Sequence, residues 1–347
     1  MKSCKKDIRN ITREELALLF EKNSSPKFRV NQVLEWIWKH YESDFNKMTN
    51  IGANDIDFLN KNFIINKLEI STFKTSLDGT IKFLFEIDEN RVVEGVLIPQ
   101  LNRLTACISS QVGCSLACNF CATGKLKMYR NLTAGEIYDQ VFSINQYAIK
   151  NFKKPITNIV FMGMGEPLLN VKNVLTSINY ITGSYGMGMS AKRITVSTVG
   201  ITKIIRKIAD MNPSFNLAIS LHAANNQTRN KIMEINKSNN LEDLEGALTY
   251  FYQKTGIKPT YEYVLLKGIN DSIEDAKKLI TFCRKIPSKV NLIEYNKVEN
   301  TPYEKTGIKR TKLFLDTLEK NNILVKFRRS RGEDIGAACG QLATQNK

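Results

Sequence analysis

The chain has 347 residues, 42% of them hydrophobic and 24% charged, which suits one large globular core with attachments; a barrel of roughly 200–250 residues leaves room for an appended domain. No apolar run reaches the roughly 20 residues of a membrane span, and the opening MKSCKKDIRNITREELALLF lacks an apolar segment ending in a small-residue cleavage site, so no membrane partner and a cytoplasmic location are expected. Its 50 Lys and Arg against 34 Asp and Glu leave +16, a field that favours a polyanionic partner such as nucleic acid, although the lysine codons of an AT-rich genome account for such an excess equally well.

In chain order, residues 1–75 read as a small helical accessory domain. TREELALLFEKN opens on Thr12 with Glu15 three positions later, a capping-box pattern ahead of Leu16, Leu18 and Leu19. In FRVNQVLEWIWKHY, Val30, Val33, Leu34, Ile37 and Tyr41 recur at helical spacing, with Arg29, Lys39 and His40 as polar positions. These helices either present a solvated basic face or help to grip RNA. From Thr80 the period becomes two. TIKFLFEI places Ile81, Phe83, Phe85 and Ile87 on one face and RVVEGVLIP follows as a second strand, a hairpin around Asp88 to Asn90 within residues 76–106.

Strand-like runs then alternate with helical ones: TACISSQ, NIVFMGMG, RITVSTVG, NLAISLHA, TYEYVLL, VNLIEYN and LVKFRRS. The expected class is α/β, a partial or complete (β/α) barrel over residues 107–330, with the hairpin as an extension before it and a segment 331–347 after it. In such barrels chemistry gathers at the C-terminal ends of the strands, where this chain places Glu166, Ser197, His222 and Asn296.

QVGCSLACNFCATG holds Cys114, Cys118 and Cys121; the remaining Cys4, Cys107, Cys283 and Cys339 are scattered, and the only histidines are His40 and His222. In a reducing compartment, clustered thiols point to metal ligation or catalysis rather than to disulfides. A structural zinc ion normally takes four ligands, so it would need one of the distant residues. The alternative is an iron–sulfur cluster held by three thiolates, which leaves one iron open.

The Cys-x3-Cys-x2-Cys spacing on a loop just beyond the first barrel strand, with Phe120 between the last two cysteines, resembles the radical S-adenosylmethionine superfamily. The resemblance implies a [4Fe–4S] cluster on Cys114, Cys118 and Cys121. Its open iron would chelate the methionine end of S-adenosylmethionine, and reduction would cleave the sulfonium to a 5′-deoxyadenosyl radical. By the same resemblance Gly165 and Glu166 of MGMGEP hold the methionine amino group, Ser197 contacts the methionine end, and Ser220, Leu221, His222 and Asn296 lie around the adenosine. Taken alone, the glycines need only a tight turn and His222 only a strand end.

CISSQVGC, FMGMGEPLLN, STVG, LAISLHA, NLIEYN and RGEDIGAACGQLA resemble, in order, the RlmN/Cfr family of RNA adenosine methyltransferases; the first 75 residues do so only loosely. The family implies methylation of carbon 2 of an adenosine in 23S rRNA and in tRNA, with carbon 8 as the alternative of the Cfr branch. Carbon 2 is electron-poor and cannot displace a methyl group directly, so a radical must add to it. The resemblance makes Cys339 the residue that is first methylated and then activated, with two S-adenosylmethionine molecules used per turnover. It makes Cys107 the thiol that releases the adduct in a transient disulfide, and Glu94 of VVEGVLIP the proton acceptor; a plain exposed acid on an edge strand is the competing account of Glu94. Cys283 reads as a buried structural thiol. Arg328, Arg329 and Arg331 of KFRRSRGED are candidates for phosphate contacts. The partners implied are 23S rRNA, tRNA and a flavodoxin- or ferredoxin-type electron donor, with the protein a monomer. Two other classes stay open: a radical enzyme acting on a small molecule, and a non-catalytic iron–sulfur or zinc RNA-binding protein, which has no use for Cys107 and Cys339.

Overall fold

The structure, a computed structural model, describes residues 5–89 and 91–343; Cys4 and Asn90 lie outside the described residues. The first strand, β1 (Lys6–Asp7), pairs in parallel with β2 (Phe63–Ile64), and between them lie α1 (Arg13–Lys22), α2 (Phe28–Trp38) and α3 (Ala53–Asn62). The capping box forms at α1: the Glu15 amide donates to Thr12 Oγ1 at 3.1 Å and the Thr12 amide to Glu15 Oε2 at 2.7 Å. These helices are tied to the rest of the chain by a buried Arg9–Asp139 ion pair at 2.7 Å and by Trp38 stacked on Tyr180 at 3.9 Å.

The stretch expected to be helical to residue 75 ends instead in a strand. β3 (Ile70–Thr75) pairs antiparallel with β4 (Ile81–Asp88), β4 with β5 (Arg91–Gln100), and β5 with β6 (Arg103–Cys107), so the expected hairpin is the middle of a four-stranded meander. A short antiparallel pair, β7 (Gln111–Val112) with β8 (Arg130–Asn131), flanks the cysteine loop and leads into α4 (Ala134–Phe152). Beyond β6 the pairing is parallel through β9 (Asn158–Phe161), β10 (Ile194–Thr198), β11 (Asn216–Ser220), β12 (Thr260–Leu265), β13 (Lys289–Glu294) and β14 (Val325–Arg328). The crossovers carry α5 (Val171–Thr182), α6 (Thr202–Asp210), α7 (Asn226–Ile232), α8 (Leu241–Thr255), α9 (Ile273–Cys283) and α10 (Ile308–Lys320). The ten-stranded order runs from β14 to β3 without closing, so the barrel is partial.

Strand alternation sorts the side chains. Ile159, Phe161, Val196, Leu217, Ile219, Tyr261, Tyr263 and Leu292 point outward under the helices and are at most 1% exposed; burial of each such side chain stabilises by about 1.5–3 kcal/mol. The residues between them point into the barrel, and many are polar. The register sets Cys107 beside Val160, Ser220 beside Glu262, Glu262 beside Asn291, and Ile293 beside Arg328. Among the described residues no helix is long and apolar enough to cross a membrane.

Candidate active site

Cys114, Cys118 and Cys121 sit on the loop between β7 and a short turn of helix at Thr123–Lys125, and none is in a disulfide. Gly113 opens that loop with φ +80°, where an added Cβ would come within 2.2 Å of the Lys127 carbonyl oxygen. The three thiols line a cavity of about 170 Å³ at the carboxyl ends of the strands. Burial pushes the Cys114 thiol up to about 11 and raises Cys118 and Cys121 as well. A bound metal reverses that preference, because it takes the thiolate.

Opposite the thiols the cavity is closed by Gly163, Gly165, Glu166, Ser197, Ser220 and His222. Gly165, at φ +91°, lies so close to Gln111 that a Cβ would meet the Gln111 Cβ at 2.4 Å, and the Glu166 amide donates to Gln111 Oε1 at 2.8 Å. Glu166 is buried with one oxygen accepting from the Leu168 amide at 2.9 Å and the other from the Val199 amide at 3.0 Å. Burial still lifts its pKa to about 7, so a cationic partner in the cavity would hold it ionised. His222 has φ +54° and its Nδ1 accepts from the Val264 amide at 3.1 Å, which puts the ring proton on Nε2. Burial and the charge of Arg229 push its pKa down to about 3, and its ring meets Phe120 edge to face at 4.8 Å.

Two of the expected cofactor contacts lie elsewhere. The Leu221 side chain is fully buried in the main core, and its carbonyl is taken by Arg229. Asn296 lines a second cavity, where its Nδ2 donates to the Cys339 carbonyl at 3.1 Å and its buried Oδ1 has no partner among the described residues.

The second cavity, about 490 Å³, lies inside the barrel and is lined by Cys107, Glu262, Asn291, Asn296 and a set of cations, Arg103, Lys326, Arg328, Arg329 and Arg331. Cys339 lines both cavities, as do Met162, Glu262, Ile293 and Leu342. Cys107 is buried on β6, and burial together with the neighbouring Cys339 pushes its thiol up to about 12, while Arg328 pulls the other way. The segment carrying Cys339 is held at its root and its tip. Ser76 Oγ donates to Asp334 at 2.6 Å and the Gly332 amide to Asp78 at 3.0 Å; farther along, the Ala122 amide of the cysteine loop donates to the Gly340 carbonyl at 2.7 Å.

Glu94 is no exposed acid on an edge. β5 is an interior strand, Glu94 is 2% exposed, and it shares the face of Val96, which pairs with Cys107. Its carboxylate lies 3.3 Å from Lys82 Nζ; burial raises its pKa and Lys82 opposes the rise. Arg328, expected to meet phosphate, is turned inward onto Glu262 at 3.3 Å, and Glu262 also accepts from Asn291 at 2.7 Å. Arg331 pairs with Asp78 at 3.9 Å. Sequence reasoning passed over Lys82, Arg229, Glu262 and Asn291. A signal existed for Glu262 and Asn291, each a polar residue flanked on both sides by large hydrophobic residues of its strand, Tyr261 and Tyr263 or Val290 and Leu292. Cys283 ends α9 in the core, far from this chemistry in the fold.

The residues fit a cluster and S-adenosylmethionine. Among the described residues no group of three or more His, Cys, Asp and Glu is placed to hold a single metal ion, whereas a cluster takes each thiolate on a different iron. The buried carboxylate of Glu166, in the wall of the thiol cavity, offers a polar contact for a charged nucleoside. A thiol loop of this kind at the mouth of a partial parallel barrel defines a radical S-adenosylmethionine enzyme, and the Radical SAM superfamily matches residues 108–280.

Residues 6–65 match the ribosomal RNA large subunit methyltransferase N-terminal domain. The chain is 49% identical over 346 residues to the probable dual-specificity RNA methyltransferase RlmN of Christiangramia forsetii, covering 100% of this chain and 98% of the relative. To the protein of the same description from Flavobacterium psychrophilum it is 50% identical over 341 residues, covering 98% of each. A crystal structure of a radical SAM methyltransferase from Sphaerobacter thermophilus matches with TM-score 0.89 at 34% identity, over 97% of this chain and 99% of that one. The chain belongs to the RlmN family of dual-specificity RNA methyltransferases. It is a radical SAM enzyme that acts on RNA and uses a [4Fe–4S] cluster and S-adenosylmethionine.

Proposed function

We propose that this chain methylates carbon 2 of adenosine in 23S rRNA and tRNA through a methylated Cys339. The observation that carries the proposal is the position of Cys339 in the wall common to both cavities, with the cluster thiols on one side and Cys107 and the cationic lining on the other. Cys114, Cys118 and Cys121 would hold the cluster, with Gly165, Glu166, Ser197, Ser220 and His222 around S-adenosylmethionine. When bound, these groups supply a methyl cation equivalent, hydrogen-atom abstraction and one-electron transfer.

The chain's own residues do the rest. Cys339 thiolate takes a methyl group by displacement, forming a C–S bond as the sulfonium C–S bond breaks. Once that methyl has lost a hydrogen atom, its carbon bonds to the electron-poor ring position, and RNA and protein are joined through Cys339 sulfur. The adduct still carries one unpaired electron, which it would return to the cluster held by Cys114, Cys118 and Cys121, while Glu94, on the same sheet face as Cys107 and with its pKa raised by burial, takes the ring proton and the ring regains its aromaticity. Cys107 thiolate then attacks Cys339 sulfur; the sulfur–methylene bond breaks, the released carbon takes a proton to become the methyl group, and a Cys107–Cys339 disulfide remains to be reduced. Of the cations of the second cavity, Arg103, Lys326 and Arg329 give the RNA backbone its contacts, and the base leaves its stack to reach Cys339. A flavodoxin- or ferredoxin-type donor supplies the electron, and the monomer contains the whole site.

The test is anaerobic reconstitution, incubation with S-adenosylmethionine, reductant and unmodified 23S rRNA and tRNA, and mass spectrometry of the digested nucleosides. A 2-methyladenosine peak is expected from both RNAs. 8-Methyladenosine would overturn the regiochemistry, and no methyladenosine at all would overturn the substrate.

A further inference from the structure

Arg229, on α7, has no exposed surface, yet every hydrogen bond it makes ends on a neutral oxygen. It donates to the carbonyls of Leu221 at 3.1 Å, Val199 at 2.6 Å, Ser220 at 3.3 Å and Asn239 at 3.3 Å, and to Asn236 Oδ1 at 2.7 Å. Among the described residues no carboxylate forms an ion pair with it. A guanidinium keeps its proton throughout the physiological range. The five bonds satisfy its N–H groups but leave its charge buried and uncompensated, a costly arrangement unless an anion stands nearby in the working protein.

The cysteine loop is where that anion would be. Asn119, next to Cys118, donates its amide to the Ile232 carbonyl at 3.1 Å and its side chain to the Lys231 carbonyl at 2.9 Å, both in α7. Leu116, Cys118 and Phe120 pack with Ile232 and Met233 in one apolar cluster.

We infer that Arg229 is the fixed counter-charge of the iron–sulfur cluster and raises its reduction potential, beyond knotting the loops after β10 and β11. A cluster on three thiolates is net negative and gains one more negative charge when it accepts the single electron of its donor. A buried cation on the helix packed against the cysteine loop therefore stabilises the reduced form more than the oxidised one. No proton moves with the electron, because Arg229 is charged in both states. This inference rests on the assignment of Cys114, Cys118 and Cys121 to the cluster.

The experiment is a dye-mediated redox titration of the anaerobically reconstituted holoenzyme, followed by electron paramagnetic resonance, with iron and sulfide measured on every sample. Arg229→Gln should move the midpoint to more negative potential, and Arg229→Lys, which loses most of the bonds but keeps the charge, should stay near the parent value. Asn236→Asp places a carboxylate where Arg229 Nη1 already donates and neutralises the cation from within. It should lower the midpoint as Arg229→Gln does, and it carries the test if the Arg229 variants fold poorly. Asn236→Ala, which leaves the charge, should not shift it. Unchanged midpoints in Arg229→Gln and Asn236→Asp would overturn the inference; so would equal shifts in the Lys and Gln variants, which would make Arg229 a structural knot only. A parent protein that binds no iron overturns the cluster assignment instead, a failure visible in the metal analysis before any potential is read.

Discussion

Replacing Lys82 by Met tests how Glu94 is held in the barrel. Lys82 Nζ lies 3.3 Å from Glu94 Oε1, with the two side chains 12% and 3% exposed, and among the described residues no hydrogen bond reaches Glu94 Oε2. Met keeps most of the apolar stem and removes the charge. Removing one partner of a buried pair costs about 3–5 kcal/mol where the other must stay ionised. Glu94 can escape part of that cost by taking a proton. Burial already sets its folded pKa above the unfolded value, with Lys82 opposing. Such an acid leaves the fold at full strength below its unfolded pKa and weakens it as pH rises toward the folded pKa. Without Lys82 this window extends upward, each further unit costing about 1.4 kcal/mol. Urea midpoints of the holoenzyme at pH 6, 7 and 8 should therefore show Lys82→Met losing more stability at pH 8 than at pH 6, by up to roughly 3 kcal/mol. Adding Glu94→Gln removes the stranded charge and should recover most of the loss and flatten the pH dependence. A loss equal at all three pH values, or one that Glu94→Gln does not relieve, would refute the argument. The acid limb of the methylation rate should also move to higher pH in Lys82→Met, since Glu94 must be ionised to accept a proton.

Cys339→Ala should abolish RNA methylation with iron and sulfide content unchanged, and Cys107→Ala should accumulate protein bonded to RNA, visible as a shifted band that reductant does not release. Gly165→Ala should cost roughly 1–3 kcal/mol by overpacking and weaken S-adenosylmethionine binding, read by equilibrium dialysis, because its Cβ would meet Gln111 at 2.4 Å in a left-handed backbone. Arg329→Ala should flatten the salt dependence of RNA binding by about one unit of log K against log salt. Arg328→Ala should leave that slope unchanged, since Arg328 is spent on Glu262.

The parts of the fold that follow from local chemistry were legible. The Thr12 and Glu15 capping box formed as spaced, the period-two run from Ile81 became β4, and of the polar residues closing the apolar runs Glu166, Ser197 and His222 came to one cavity while Asn296 went to the other. β3 escaped because every residue after Ile70 is exposed, so the strand is defined by its backbone pairing with β4 and carries no hydrophobic alternation. Arg328 looked like part of a surface run; only the register that sets β12, β13 and β14 side by side shows Glu262, 66 residues away, waiting for it. Arg229 lies in the polar-looking NQTRNKI, and its burial depends on carbonyls from two strand ends that no local pattern announces. For Glu94 the edge-acid account stayed open beside that of proton acceptor, because only the pairing of β5 with both β4 and β6 shows the strand enclosed.

The root of the Cys339 segment is fastened by Ser76 and Asp78, residues 258 and 254 positions earlier than their partners Asp334 and Gly332. During synthesis the meander and most of the barrel leave the ribosome well before that segment, and contacts of such long separation form late. The chain can thus assemble its walls and its cysteine loop while the segment carrying Cys339 is still untranslated. If Cys339 acts as proposed, chemistry on RNA becomes available only once residues 332–340 have emerged and closed onto the turn at 76–80, so a nascent chain without them stays inert among ribosomal RNA.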